Sequence, residues 1–197
     1  MTETSTPRGR PQAASRELLQ DAALELFLEN GYAGTTIEQI TTRAGVSRNT
    51  FFNYFDAKSD VFWVELDDAL ERIPASLSTA PPTAGGMQAV EAALLEFGGQ
   101  FGPGRVPFAL TQYELVGSVN ELQASALTRF TRQAALLADF LTSRGFERLR
   151  AQTASYAALG AVVAAGQAWA DAGTARGDLL PYLSAALSPV IGAFADE

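Results

Sequence analysis

Residues 35–55 read TTIEQITTRAGVSRNTFFNYF, and this stretch contains signals for two helix starts and one helix end. Thr35 and Glu38 have the spacing of a capping box, in which a Thr and a Glu three residues later close the first turn of a helix. Gly45 ends that short helix, and Ser47 is a typical N-cap for the next one. Two short helices joined by a brief turn that contains Gly predict a helix-turn-helix.

The second of these helices, from Ser47 to Phe55, is the candidate reading element. Phe51, Phe52 and Phe55 are predicted to lie in the aromatic core, with Tyr54 as the exception. The side chains predicted to face outward are Arg48, Asn49, Thr50 and Asn53. Arg can bond guanine, Asn can bond adenine, and a Thr methyl group can contact thymine in the major groove. Without further context, the same four side chains would equally describe a solvated helix face.

The regions on either side follow helical periodicity, and no segment shows a strand pattern. Ser15 opens a helix whose apolar residues recur every three or four positions, and Gly31 is its predicted stop. Ser59 and Asp60 open a fourth helix. Its apolar stripe is Phe62, Leu66, Leu70, Ile73 and Leu77.

The chain is therefore predicted to be all-α, with about nine helices. The expected organisation is a flexible basic arm over residues 1–14, a three-helix helix-turn-helix domain over residues 15–58, and a second helical domain over residues 59–197. Pro189 lies in the last predicted helix, which it is expected to bend or break.

Composition narrows the function classes. The chain has 197 residues with no Cys and no His, which excludes disulfides, thiolate metal sites and any catalytic pair that uses His. The net charge is −8, and residues 1–66 carry six basic and nine acidic side chains. Affinity for DNA must therefore come from a few well-placed cations rather than from a general positive field. No cofactor and no metal site is predicted.

Residues 15–62 resemble the N-terminal DNA-binding domain of the TetR/AcrR family of bacterial regulators. The supporting run, over residues 22–62, is AALELFLENGYAGTTIEQITTRAGVSRNTFFNYFDAKSDVF. The resemblance implies that the third helix enters the major groove and that Lys58 meets the DNA backbone. Three positions depart from the family pattern, since Phe52 replaces a usual Tyr, Tyr54 a frequent His and Asn49 a common Gly.

Arg8 and Arg10 lie in an RGRP sequence that resembles a minor-groove hook, because Arg-containing arms enter minor grooves. A solubilising tail is the equal alternative for this segment. The full set of predicted DNA contacts is Arg8, Arg10, Thr36, Ser47, Arg48, Asn49, Thr50, Asn53, Tyr54 and Lys58.

For residues 59–197 the resemblance implies a domain for effector binding and dimerisation. The small-residue segment 156–166 places the dimer interface within residues 147–194, with ordinary internal packing as the alternative. A homodimer would read a palindromic operator. The candidate contacts to a small apolar effector, expected to be an acyl-type molecule, are Phe97, Phe101, Phe108, Gln112, Tyr113, Phe130, Gln133 and Gln167.

The resemblance implies a repressor that the effector releases from DNA, and not an enzyme. No segment predicts a membrane span or a secretory signal, so a cytoplasmic location is expected. Three alternatives remain open at this point: a regulator without a ligand, an enzyme with an added DNA-binding module, and an interaction module that has lost DNA binding. The one local carboxylate cluster, Asp67, Asp68 and Glu71, favours a solvated face over an active site.

Overall fold

The computed structural model describes residues 12–195, and these residues form α-helices and two short 3-10 helices without a β-strand. The α-helices are α1 (Gln12–Gly34), α2 (Ile37–Ala44), α3 (Arg48–Phe52), α4 (Val64–Leu70), α5 (Ile73–Thr79), α6 (Gly86–Gly98), α7 (Phe108–Thr111), α8 (Tyr113–Ser118), α9 (Asn120–Ser143), α10 (Arg148–Asp171) and α11 (Leu180–Phe194). The 3-10 helices are Lys58–Trp63 and Gly173–Ala175. The prediction of an all-α chain with an N-terminal helix-turn-helix is confirmed.

The chain divides into two compact units after Val64. We call residues 12–64 the N-terminal unit and residues 65–195 the C-terminal unit. The sequence-based boundary lay after Lys58. Within the predicted arm, residues 1–11 lie outside the described residues, whereas α1 already begins at Gln12.

The N-terminal unit is built on α1, which Gly31 interrupts with a left-handed φ of 71°. A side chain is strained in this conformation, so Gly suits the position. Just beyond the interruption, the buried Thr35 hydroxyl donates to the carbonyl oxygens of Leu26 at 3.0 Å and Gly31 at 2.9 Å. Thr35 thereby satisfies carbonyl groups that the broken helix leaves free.

The capping box of α2 lies one residue later than predicted. Thr36, not Thr35, is the N-cap, and its hydroxyl accepts from the Gln39 backbone N–H at 3.2 Å. The Gln39 side chain in turn accepts from the Thr36 backbone N–H at 2.8 Å. The prediction with Glu38 was wrong because Thr35 is drawn into the core, which leaves the next Thr to close the helix.

The turn between α2 and α3 follows the prediction. Gly45 adopts a left-handed φ of 67° and ends α2. Ser47 caps α3, since its hydroxyl accepts from the Thr50 backbone N–H at 3.1 Å. Helix α3 itself ends at Phe52, short of the predicted Phe55.

The C-terminal unit has an apolar core formed mainly by α6, α9, α10 and α11. Its largest fully buried side chain is Trp169 of α10, whose indole N–H donates to the Gly177 carbonyl at 3.0 Å. The predicted fourth helix is divided into the 3-10 helix, α4 and α5, with Pro74 in the first turn of α5. Pro lacks a backbone N–H, which favours a helix start over a continuation.

Pro189 was expected to bend or break the last helix, and it does not break it, because α11 runs from Leu180 to Phe194 across it. The loss of one backbone hydrogen bond is tolerated here. Leu183, Leu187 and Ile191 lie on one side of α11 and are buried in the core, so tertiary packing holds the helix together.

Candidate nucleic-acid interface

Helix α3 presents a polar outer surface over one buried anchor. Phe51 is fully buried and anchors α3 to the rest of the N-terminal unit. Arg48, Asn49 and Asn53 are exposed, as predicted for a reading element. Because each helical residue is rotated by roughly 100° from the last, Asn49 and Asn53 lie opposite Phe51, whereas Arg48 flanks them.

Arg48 is a cation held ready for a partner. Within the described part of the chain it makes no hydrogen bond and no ion pair, and its guanidinium carbon lies 5.5 Å from the centre of the Phe52 ring. The prediction of a buried Phe52 is wrong, since this side chain is 44% exposed. Phe52 was expected in the core because it lies in a run of aromatic residues. It directly follows the buried Phe51, however, and adjacent side chains of a helix point in directions roughly 100° apart.

The other cations near α3 are already engaged. Arg43 of α2 bonds Glu29 through two nitrogens, at 3.0 and 2.8 Å, and Glu25 at 3.1 Å. The hydrogen bond from Arg43 holds the pKa of Glu29 below its ordinary value. Arg48 is therefore the cation that α3 offers to a nucleic acid.

Lys58, predicted to meet the DNA backbone, is turned toward its own unit. Its ammonium donates to the carbonyl oxygens of Tyr32 at 2.7 Å and Thr35 at 2.8 Å. It also lies 4.0 Å from the centre of the Tyr32 ring. In this position the Lys58 ammonium compensates the partial negative charge of the carbonyl oxygens at the end of α1. The sequence spacing alone did not reveal this structural role.

The remaining predicted DNA contacts divide into three groups. Thr36 and Ser47 have exposed side chains, and both serve as helix N-caps. Thr50 shares a hydrogen bond of 2.8 Å with the Ser47 hydroxyl, and Tyr54 is half-buried. Arg8 and Arg10 lie outside the described residues.

The predicted effector contacts of the C-terminal unit differ in their partners. Phe97 and Phe101 are buried and meet with ring centres 5.4 Å apart. Phe130 stacks on Tyr156 at 5.8 Å. Tyr113 is hydrogen-bonded to Asp171, which raises the pKa of the Tyr113 hydroxyl.

The other four predicted contacts differ in burial. Phe108 and Gln112 are half-buried, and Gln167 is exposed on α10. Gln133 of α9 has a buried carboxamide oxygen without a hydrogen-bond partner among the described residues. A buried acceptor of this kind is costly unless something donates to it. Among the eight predicted contacts, Gln133 is therefore the one whose buried oxygen lacks a hydrogen-bond donor within the described residues.

A separate open groove, of about 460 Å³, lies between α9 and α10. It contains none of the predicted effector contacts. Its charged and polar lining residues are Asp139, Arg148, Gln152, Thr131, Thr142 and Tyr156.

No group of acidic side chains within residues 12–195 has the arrangement of a metal site. No described helix is both long and apolar enough to cross a membrane.

Helices α2 and α3 are both capped and are joined by a turn at Gly45. Their exposed surface carries two Asn side chains and an Arg that makes no ion pair within the described residues. This arrangement is typical of helix-turn-helix DNA-binding proteins. The family model described as bacterial regulatory proteins, tetR family, matches residues 19–62. A second model, described as the MftR C-terminal domain, matches residues 85–195. The chain belongs to the TetR family of transcriptional regulators.

Individual relatives agree with this assignment. The chain is 24% identical over 164 residues to a candidate mycofactocin biosynthesis transcriptional regulator, MftR, of Mycobacterium tuberculosis, covering 82% of each protein. It is 32% identical over 142 residues to the HTH-type transcriptional regulator TcmR of Streptomyces glaucescens, covering 70% of this chain and 59% of TcmR. Among solved structures, FadR from Bacillus subtilis in complex with stearoyl-CoA has a TM-score of 0.63 at 22% identity, covering 89% and 97% of the two chains.

Proposed function

We propose that this chain is a repressor that binds a palindromic operator as a homodimer and leaves it when a small apolar ligand binds. The observation that carries the proposal is the outer surface of α3. There an Arg that makes no ion pair with any residue of 12–195 stands beside two exposed Asn side chains. These residue types match the donor and acceptor groups that base pairs present in the major groove. Such a regulator would act in the cytoplasm, where the operator is.

In this proposal the ten predicted residues have different tasks. Arg48, Asn49 and Asn53 would contact base edges. Thr36, Ser47, Thr50, Tyr54 and Lys58 would meet phosphates or hold the reading helix in place. Arg8 and Arg10 would enter the adjacent minor groove. A second, symmetry-related unit would add to the few cations that the described part of the N-terminal unit offers, because phosphate contacts supply a large share of the affinity for DNA.

An exposed apolar stripe on α10 supports the homodimer. Leu149, Tyr156 and Val163 are 67%, 49% and 47% exposed, and they recur every seven residues. Residues seven apart lie on nearly the same face of a helix, so the three side chains share one face of α10. Gly160 lies between Tyr156 and Val163 on this face and would allow close approach of a second helix. Exposed apolar side chains do not stabilise a helix that faces water. In a two-fold interface, the same stripe of each of the two chains would be removed from water.

The ligand is proposed to be an acyl-type molecule, bound in the C-terminal unit among Phe97, Phe101, Phe108, Gln112, Tyr113, Phe130, Gln133 and Gln167. The buried, unpartnered carboxamide oxygen of Gln133 supports a polar contact there. The similar FadR structure holds stearoyl-CoA, which supports the ligand class. Ligand binding would release DNA only if the ligand prefers the conformation that does not bind the operator.

The test begins with selection of a duplex from random sequence by the purified chain, followed by fluorescence anisotropy. A palindromic consensus, bound at two chains per duplex, is expected. Stearoyl-CoA should then release the duplex, while coenzyme A alone should not. A consensus without two-fold symmetry, or a duplex that stearoyl-CoA leaves bound, would contradict the corresponding part of the proposal.

The dimer has a separate test by analytical ultracentrifugation. Val163→Glu should yield monomers, because it places a charge in the stripe, beside Gly160, where the second helix would approach. Leu127→Glu is the matched control, since Leu127 is an exposed apolar residue of α9 outside the stripe. Dimers that survive Val163→Glu would mean that the interface lies elsewhere.

A further inference from the structure

We propose that Phe52 is a base-reading residue, whose ring contacts the 5-methyl group of a thymine next to the guanine that Arg48 bonds. This inference rests on the proposed function, because it needs α3 to enter the major groove. It assigns to Phe52 a role of its own, where the replacement of a Tyr by Phe would otherwise only remove a hydroxyl group.

The Phe52 ring is exposed and packs against one neighbouring ring. Its neighbour Phe51 is fully buried and meets the Phe52 ring edge-on, with ring centres 5.5 Å apart. An edge-to-face contact favours one ring orientation over others. Phe52 therefore presents an apolar surface in a preferred orientation to a molecule that approaches α3.

Arg48 and Phe52 form a pair on one flank of the helix. They are four residues apart, which places them on the same face, and the guanidinium lies 5.5 Å from the ring centre. A guanidinium above an aromatic face is attracted by the electrons of the ring. The ring thus orients the Arg48 fork, which can bond the O6 and N7 atoms of guanine.

The separation of the two groups fits adjacent base pairs. Successive base pairs are stacked about 3.4 Å apart, so a group 5.5 Å from the Arg48 guanidinium can reach a pair that neighbours the guanine. A Phe ring neither donates nor accepts an ordinary hydrogen bond. The apolar group that the major groove offers is the thymine methyl, and Phe is among the side chains that contact it.

A single exposed aromatic on a protein surface often has no function. Phe52 differs from that case by its surroundings. It lies beside the exposed Arg48 and Asn49, on the part of α3 that faces away from the core. Leu28 of α1 provides the contrast, as an exposed apolar residue of the same unit that flanks the engaged Glu25 and Glu29 instead of the reading surface.

The experiment uses the full chain and the selected duplex, with uracil replacing each thymine in turn so that only one methyl group is lost. At one thymine per half-site, wild-type binding should weaken about fourfold, the factor expected for burying a single methyl group. Phe52→Ala should bind the thymine duplex more weakly and show no difference between thymine and uracil there. Leu28→Ala and Phe52→Tyr should both retain the wild-type difference.

Circular dichroism of Phe52→Ala should show wild-type helix content, since the side chain is removed from the surface. Equal binding of thymine and uracil duplexes by the wild type, at every thymine, would overturn the inference. So would a Phe52→Ala chain that binds more weakly but still distinguishes thymine from uracil, because Phe52 would then touch the sugar-phosphate backbone. Failure of the wild type to select any duplex would overturn the proposed function itself, and is thereby distinguished.

Discussion

The two units of the chain use their side chains in opposite ways. In the N-terminal unit, polar side chains close turns and helix ends one by one, as Thr35, Thr36 and Ser47 do. In the C-terminal unit, the helices are held by a large apolar core, and apolar side chains also appear on the outer face of α10. Function can therefore be read from sequence where local geometry requires particular residue types. It cannot be read where any well-packed apolar set would do.

The largest effect is expected in the apolar core. Trp169→Ala should lower the free energy of unfolding of the C-terminal unit by about 3–5 kcal/mol, because it leaves a large cavity. It also leaves the Gly177 carbonyl without its donor. Urea denaturation followed by circular dichroism measures the loss. Trp169→Phe is the control and should cost less, while a loss under about 1 kcal/mol for Trp169→Ala would mean that the core repacks freely.

Removal of the free cation should come next in size. Arg48→Ala should weaken binding to the selected duplex by about 1–3 kcal/mol and relax the preference at one base position. Arg43→Ala is the matched control, because Arg43 is paired with Glu25 and Glu29. It should leave the base preference unchanged. Anisotropy with single-base variants of the duplex distinguishes the two, and an altered base preference for Arg43→Ala would break the contrast between engaged and free cations.

A smaller effect is expected at the cap of α2. Thr36→Ala should cost about 1 kcal/mol of stability, since the N-cap hydroxyl bonds the Gln39 backbone N–H. Glu38→Ala should cost much less, because Glu38 does not complete the capping box. Thermal unfolding of the two variants measures the difference. The opposite ranking would support the capping box of Thr35 and Glu38 that the sequence pattern predicted.

The smallest effect should appear on acidification. The backbone N–H groups of Leu149 and Arg150 bond the Glu147 carboxylate and hold its pKa below the ordinary value. The carboxylate therefore stabilises the folded chain above its unfolded pKa of about 4.3, and this contribution is lost as the pH falls through the folded pKa. Melting temperatures between about pH 6 and about pH 3 should fall less for Glu147→Gln than for wild type. Equal slopes would show that the cap contributes nothing.

The all-α fold, the helix-turn-helix and the outward set of Arg48, Asn49 and Asn53 could be predicted from the sequence. Each follows from local rules, since helical periodicity, a left-handed Gly and a Ser cap act within a few residues. The same rules explain why Gly45 and Ser47 end and begin their helices where expected. The family resemblance had the same basis, because the matching run is almost entirely such local signals.

Only the tertiary structure decided the features that depend on residues far apart in sequence. Thr35 was drawn into the core by carbonyl groups of Leu26 and Gly31, which moved the cap to Thr36. Lys58 was drawn to the end of α1 in the same way, over a separation that no local pattern records. The packing of α3 against α1 and α2 buries Phe51 and leaves its neighbour Phe52 exposed. The sequence determined which groups exist and which helices form, whereas the fold decided which groups are already satisfied and which are free to bind.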